Sequence, residues 1–425
     1  MPGGITLRRA PFGPGAARRT IERDRSGGPA VARTEVPGCR GLLVVFGTGA
    51  DFCSSASLGG SSVGRFAFVL HPVSMADFHR KFGILKHLPD HWVERGFRLI
   101  PPWVGSEISG IVSSTGASAD GLFVVLPWTP RVLMETPWPE TLRRLEQAGR
   151  IAEARGAQIL GLGAYTKIAG DRGVSLNERL RIPVTTGNSY TAATAIEGAL
   201  LGAERMGIAA AAASVTIVGA TGAIGGACAR VLADQVGELV LVARDAARLG
   251  ELAEELRDAP AAVRVEADLK RAVQPADVVI CVSSAIDQIL EPTDFRAGAV
   301  VCDVARPRNV SAALAGTRDD VLVIDGGVIA IPGQNMDFGM NFGFPPRTAE
   351  ACIAETIILA LEGRWESFTL GRDISARQVR EIADLGRKHG LRVAGFRRFE
   401  RALAEGDIEA IRSRAENARG RRNSW

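Results

Sequence analysis

Six short apolar runs alternate with helical stretches between residues 214 and 325, and this alternation limits the fold more than any other feature of the chain. The runs are residues 215–218, 239–242, 263–265, 278–282, 299–302 and 321–324. Apart from Thr216 and Arg264 they are continuously apolar rather than alternating, as in parallel strands buried on both faces. Strands of that kind separated by helices predict a doubly wound parallel sheet of the Rossmann type.

The first run leads into Gly219-Ala220-Thr221-Gly222-Ala223-Ile224-Gly225, a GxxGxxG spacing directly after a strand and before a helix. Gly219 permits a tight turn, Gly222 lets backbone approach a pyrophosphate, and Gly225 lets helix and strand pack closely. Free N–H groups and the dipole at the helix start then favour phosphate. A Rossmann domain kept only for structure is the alternative. The second run ends at Arg244, with Arg248 one helical turn on. Guanidinium groups suit a 2′-phosphate, which points to NADPH, although Asp245 could instead reach a 2′-OH. Ser283, Asp325, Gly326 and Gly327 fall at later strand ends, where ligands sit in such sheets. Ordinary turn chemistry would also explain them.

Composition excludes several classes. Hydrophobic residues are 46% and charged residues 23% of 425, as in a globular protein rather than a disordered or polytopic one. The longest weakly polar run, residues 207–229, is too rich in glycine and alanine to span a bilayer, so no integral membrane protein is expected. The net charge of +4 is uneven: residues 1–40 carry +5 and residues 386–425 carry +6, leaving −7 on the body. An acidic body is no nucleic-acid footprint. The Cys residues contain no CxxC pair and the His residues no HExxH, so no metal site is expected. Scattered thiols fit a reducing, cytoplasmic setting. Oligomeric state is left open, a homo-oligomer included.

Residues 1–65 are rich in Gly, Arg, Ser and Pro and read as a disordered extension, or as sequence ahead of the true start. Residues 66–200 are expected to form an N-terminal α/β substrate domain, 201–345 the Rossmann domain, and 346–425 a C-terminal helical segment. Residues 139–155 keep a helical period, with Arg143, Arg144, Arg150 and Arg155 on the polar side.

Two further segments carry candidate chemistry. Residues 183–191 contain Asn188, Ser189 and Tyr190 ahead of an Ala-rich helix. Such residues cap helices, yet this cluster holds more polar groups than one cap needs. Cys352 follows Pro345-Pro346, which suggests a helix start near residue 348. A thiol in the first turns of a helix can be acidified and act as a nucleophile; it can equally be core filler.

With these residues the sequence resembles the cyanobacterial long-chain acyl-[acyl-carrier-protein] reductases, from about residue 66 to 395. The resemblance rests on Thr185-Thr186-Gly187-Asn188 with Thr191, on the loop 218–225, and on Ala351-Cys352-x-Ala354-Glu355 with Leu361-Glu362-Gly363. It implies NADPH-dependent reduction of a fatty acyl thioester to an aldehyde through an acyl group on Cys352, with an acyl carrier protein or acyl-CoA as donor. Asn188 and Ser189 become oxyanion donors, and Tyr190 or Lys167 the proton donor. The chain departs from the family at Tyr190, at residues 304–309, at Asp325 and Ile331, and at Lys167, where the family has Ser. A shikimate-dehydrogenase-like carbonyl or hydroxy-acid dehydrogenase using Lys167, and a non-catalytic NADP-binding module, are the alternatives.

Overall fold

The computed structural model describes residues 18–22, 31–35, 64–168, 170–285, 289–341 and 343–422. The chain divides into two compact units, residues 1–58 and 59–425. In the first, Arg18–Glu22 pairs antiparallel with Val31–Glu35, Thr20 opposite Arg33. Of the rest of the expected extension, residues 1–17, 23–30 and 36–63 lie outside the described residues, while Gly64 and Arg65 are not an extension but open a strand of the second unit.

The second unit contains the expected sheet. Six strands lie in the order Ala262–Val265, Glu238–Val242, Ser214–Val218, Val278–Cys281, Val300–Asp303 and Leu322–Asp325. Every neighbouring pair is parallel. The order reverses between Ser214–Val218 and Val278–Cys281, so a crevice opens at their carboxyl ends. The central strands are buried throughout, which is why their sequences run continuously apolar.

A second sheet precedes it, ordered Trp103–Val112, Ser118–Val125, Gly64–Leu70, Ile159–Leu162 and Val184–Thr185. Its first pair is antiparallel and the others are parallel. The helix Trp138–Ala154 covers one face, burying Leu142, Leu145, Ala148 and Ala152. Two arginines expected on its free side are already engaged. Arg144 lies 5.7 Å from the Trp128 ring centroid, and Arg150 pairs with Glu146 and Glu153 at 3.5 and 2.9 Å.

Two helices join the sheets. Asn188–Arg205 packs on the six-stranded sheet and on Ala223–Leu232. Ala351–Glu362 packs between Asn188–Arg205 and the strands Gly64–Leu70 and Ile159–Leu162. All its residues from Ala351 to Leu361 are buried, Cys352 among them. The expected helix start at residue 348 needs correction. Thr348–Glu350 is a strand, paired antiparallel with Val328–Ala330, and the helix begins at Ala351. A short three-residue pairing to a distant segment overrides the local helical preference of Thr-Ala-Glu-Ala.

Candidate active site

Gly219 has φ +94 and sits against the end of Val278–Cys281, where a Cβ would stand 2.8 Å from Ser283 N. Gly225 approaches the turn so closely that a Cβ would lie 2.8 Å from Ala220 Cα. These contacts close the turn Gly219–Gly222 under the helix Ala223–Leu232, whose first turn no side chain caps. The uncapped N–H groups there suit phosphate oxygens.

Basic groups gather beside this turn. Arg372 Nη1 lies 3.5 Å from Thr221 O, and Gly371 N–H donates to Arg172 O at 3.1 Å. Burial, with the Arg372 and Arg248 charges nearby, lowers the Arg172 guanidinium pKa. Like charges held together in this way favour an anion between them. The turn, the uncapped helix and the arginines therefore fit a dinucleotide carrying phosphates. Arg172 and Arg372 were missed in the sequence, because about two hundred residues separate them. Arg244 is exposed, and Arg248 Nε pairs ionically with Asp245 Oδ2 at 3.4 Å. Asp245 also caps its helix by accepting from Arg248 N at 3.2 Å, so its carboxylate is largely occupied.

A cavity of about 110 Å³ lies beside the helix that follows this turn. Ile224, Val282, Ser283, Gly326, Gly327, Lys167, Glu350 and Cys352 are among the residues that line it. Ser283 is fixed by donating its N–H to Asn309 Oδ1 at 3.1 Å. Gly326 is forced by space: a Cβ would stand 2.6 Å from Val304 Cγ2. Asp325 does not face the cavity. Its buried carboxylate forms an ion pair with Arg308 at 3.3 Å and accepts from Glu400 N at 2.6 Å.

Cys352 is the second residue of its helix and is 5% exposed. Gly187, with φ +71, lets the Thr-Thr-Gly-Asn segment approach it; a Cβ there would stand 2.5 Å from Cys352 Cβ. A Cβ on Gly163 would lie 3.6 Å from Sγ. The thiol donates to Glu350 Oε2 at 3.7 Å. The expected acidification is absent. Burial, reinforced by Glu350, raises the thiol to about 12, and the opposing Lys167 charge does not offset it.

Lys167 Nζ donates to Thr186 O at 3.1 Å at the cavity wall. Thr191 lines the cavity, whereas Asn188, Ser189 and Tyr190 do not. Ser189 Oγ hydrogen-bonds Thr369 Oγ1 at 2.7 Å. Tyr190 is buried against Gly386, where a Cβ would stand 2.7 Å from the Tyr190 hydroxyl oxygen, and burial raises its pKa. Asn188 Oδ1 is buried and has no hydrogen-bond partner among the described residues. Glu355 fastens the two segments together: Oε1 accepts from Thr185 Oγ1 at 2.6 Å and Oε2 from Tyr190 N at 2.9 Å.

Comparison with known proteins adds to this geometry. The family model described as Shikimate / quinate 5-dehydrogenase matches residues 201–325, the span of the six-stranded sheet. The protein named Aminotransferase PigE from a Serratia species is 29% identical over 351 residues, covering 77% of this chain and 39% of that protein. A long-chain acyl-[acyl-carrier-protein] reductase from Synechococcus elongatus is 28% identical over 350 residues, covering 76% of this chain and 97% of that protein. The chain thus spans about two fifths of the length of the first relative and nearly all of the second. Among solved structures, glutamyl-tRNA reductase from Methanopyrus kandleri is similar at 18% identity, over 69% of this chain and 61% of that one, with a TM-score of 0.27. Similarity to a dehydrogenase family and to a reductase supports an oxidoreductase that uses a nicotinamide dinucleotide. No helix among the described residues is long and apolar enough to cross a membrane.

Proposed function

We propose that the protein reduces an acyl thioester to an aldehyde, with NADPH as reductant and Cys352 as the acyl-accepting nucleophile. The observation that carries this reading is one cavity lined both by Ile224, in the first turn of the helix that follows the glycine turn, and by Cys352. When bound, a reduced nicotinamide dinucleotide supplies hydride to an acyl carbon. The chain would hold it by the turn Gly219–Gly225, with Arg172, Arg248 and Arg372 at its phosphates and Ser283, Gly326 and Gly327 along the cavity.

The residues of the chain supply the rest. Cys352 takes the acyl group from the carrier thiol, which divides one difficult step into two easier ones. Lys167, at the cavity wall, is placed to donate to the acyl oxygen and later to protonate it. Ser189, bonded to Thr369, holds the segment that abuts Cys352 and acts by position, and Asn188, whose buried Oδ1 has no partner among the described residues, would stand beside it. Residues 66–200 would be the substrate domain, 201–345 the nucleotide domain, and 346–425 the segment that carries the cysteine. The donor would be an acyl carrier protein or acyl-CoA, in the cytoplasm.

The reductase of Synechococcus supports this reading over nearly its full length, whereas the dehydrogenase family match ends at residue 325, before Cys352. The test is NADPH oxidation with a panel of acyl-CoA donors in wild type and Cys352→Ser. Loss of thioester-dependent oxidation in the variant, with NADPH binding kept, is expected. Equal thioester-dependent oxidation in both would remove Cys352 as the nucleophile, and none in wild type would favour a hydroxy-acid or carbonyl dehydrogenase.

A further inference from the structure

The thiol of Cys352 is neither exposed nor acidified, so its proton must leave as the sulfur attacks. The groups facing it are few. Lys167 comes from the helix Ala164–Ile168, Glu355 from its own helix, and Glu350 from the preceding strand. Lys167 is a donor and spends one N–H on Thr186 O. Glu355 has both oxygens occupied by Thr185 and Tyr190. Glu350 remains. It stands at the N-cap position of Ala351–Glu362 but makes no capping hydrogen bond. Its Oε2 instead accepts from Sγ at 3.7 Å, and its Oε1 lies 3.9 Å from Arg306 Nε. Both Glu350 and Arg306 line the cavity.

The strand-to-helix junction makes this contact. Residues two apart on one helix point to different faces. Because Glu350 closes a strand and Cys352 opens a helix, both side chains reach the same cavity.

We infer that Glu350 is the general base and acid of the thioester exchange at Cys352. The Sγ–H bond breaks and the proton passes to Glu350 Oε2 as Sγ bonds to the acyl carbon of an incoming thioester. The bond from that carbon to the carrier sulfur then breaks. The proton moves from Glu350 to the departing thiolate, leaving S-acyl-Cys352 and a free carrier thiol. No electron changes hands, and Arg306 keeps the carboxylate aimed at the thiol.

The inference rests on the thioester reading, and its test separates the two. Full-length protein without nucleotide is mixed with acyl-CoA, and free CoA thiol and the acyl mass on the Cys352 peptide are followed in time. Wild type should form the adduct and Cys352→Ser should not; a wild type that forms none removes the thioester reading itself. Glu350→Gln should acylate at least about 10²-fold more slowly at neutral pH, the usual scale of a lost general base. Glu350→Asp should recover part of that rate. Were Glu350 only a nearby charge, removing it would ease thiolate formation and speed the reaction, since Lys167 would then act with Glu355 alone opposing it. A Glu350→Gln rate equal to or above wild type therefore overturns the inference.

Discussion

Substituting Gly187 by Ala should damage both stability and the thiol. Gly187 has φ +71, and an added Cβ would meet Cys352 Cβ at 2.5 Å and Cys352 O at 2.7 Å, with Cα nearer still. A left-handed alanine costs about 1–2 kcal/mol. Forcing a methyl into a packed junction costs about 1–3 kcal/mol more. Both partners are backbone-bound, and the cysteine helix is buried on all sides, so little can give way. The expected loss is about 2–5 kcal/mol, a large part of the usual 5–15 kcal/mol of a folded protein. Urea unfolding followed by circular dichroism measures it, with alkylation of Cys352 as a second readout. Gly250→Ala is the control: it lies in the helix Ala246–Glu255 with nothing within 4 Å of an added Cβ. That change should stabilise by about 0.5–1 kcal/mol. If Gly187→Ala matched wild type within about 0.5 kcal/mol and left Cys352 alkylation unchanged, the junction would be looser than the geometry states.

Arg372→Met should raise the dissociation constant for NADPH by about tenfold or more, the scale of one charge-assisted hydrogen bond, as read by quenching of protein fluorescence. An unchanged constant would remove Arg372 from the nucleotide site. Ile357→Ala, at a fully buried position on the cysteine helix, should cost about 2–5 kcal/mol in urea unfolding; a cost below 1 kcal/mol would mean the helix repacks. His71 accepts from Tyr165 N at 3.0 Å, and burial lowers its pKa from 6.5 to about 4. The unfolded chain holds that proton between those values, so its contribution is full above pH 6.5 and falls as the pH drops, by about 3 kcal/mol near pH 4. Wild type should lose this relative to His71→Gln. The difference is the quantity to measure, because Asp303, raised to about 6 by burial, moves stability the opposite way over part of the same interval.

The six-stranded sheet was legible because strands buried on both faces carry an unbroken apolar signature, as in residues 278–281 and 322–324. The strand Trp103–Val112 was not. Its pairing shifts register at Val104/Ser106 and Ile108/Ile111, and Gly105, Ser106, Glu107 and Gly110 blur the period of two. The strand Thr348–Glu350 hid for another reason: only its pairing with Val328–Ala330 distinguishes it from a first helical turn. That misreading concealed Glu350, since a continuous helix would turn it away from Cys352. Of the site, the glycine turn and Cys352 showed in local spacing. Arg172 and Arg372 meet the turn only through the fold. Ser189 and Tyr190 looked like cavity residues, but their side chains spend themselves on packing against Thr369 and Gly386.

Mass spectrometry of peptides after brief incubation with acyl-CoA, nucleotide omitted, examines the central claim most directly. An acyl group on the peptide containing Cys352, discharged as aldehyde when NADPH is added, is the expected result. Aldehyde or alcohol formation with Cys352 unmodified and replaceable by Ser would contradict the account.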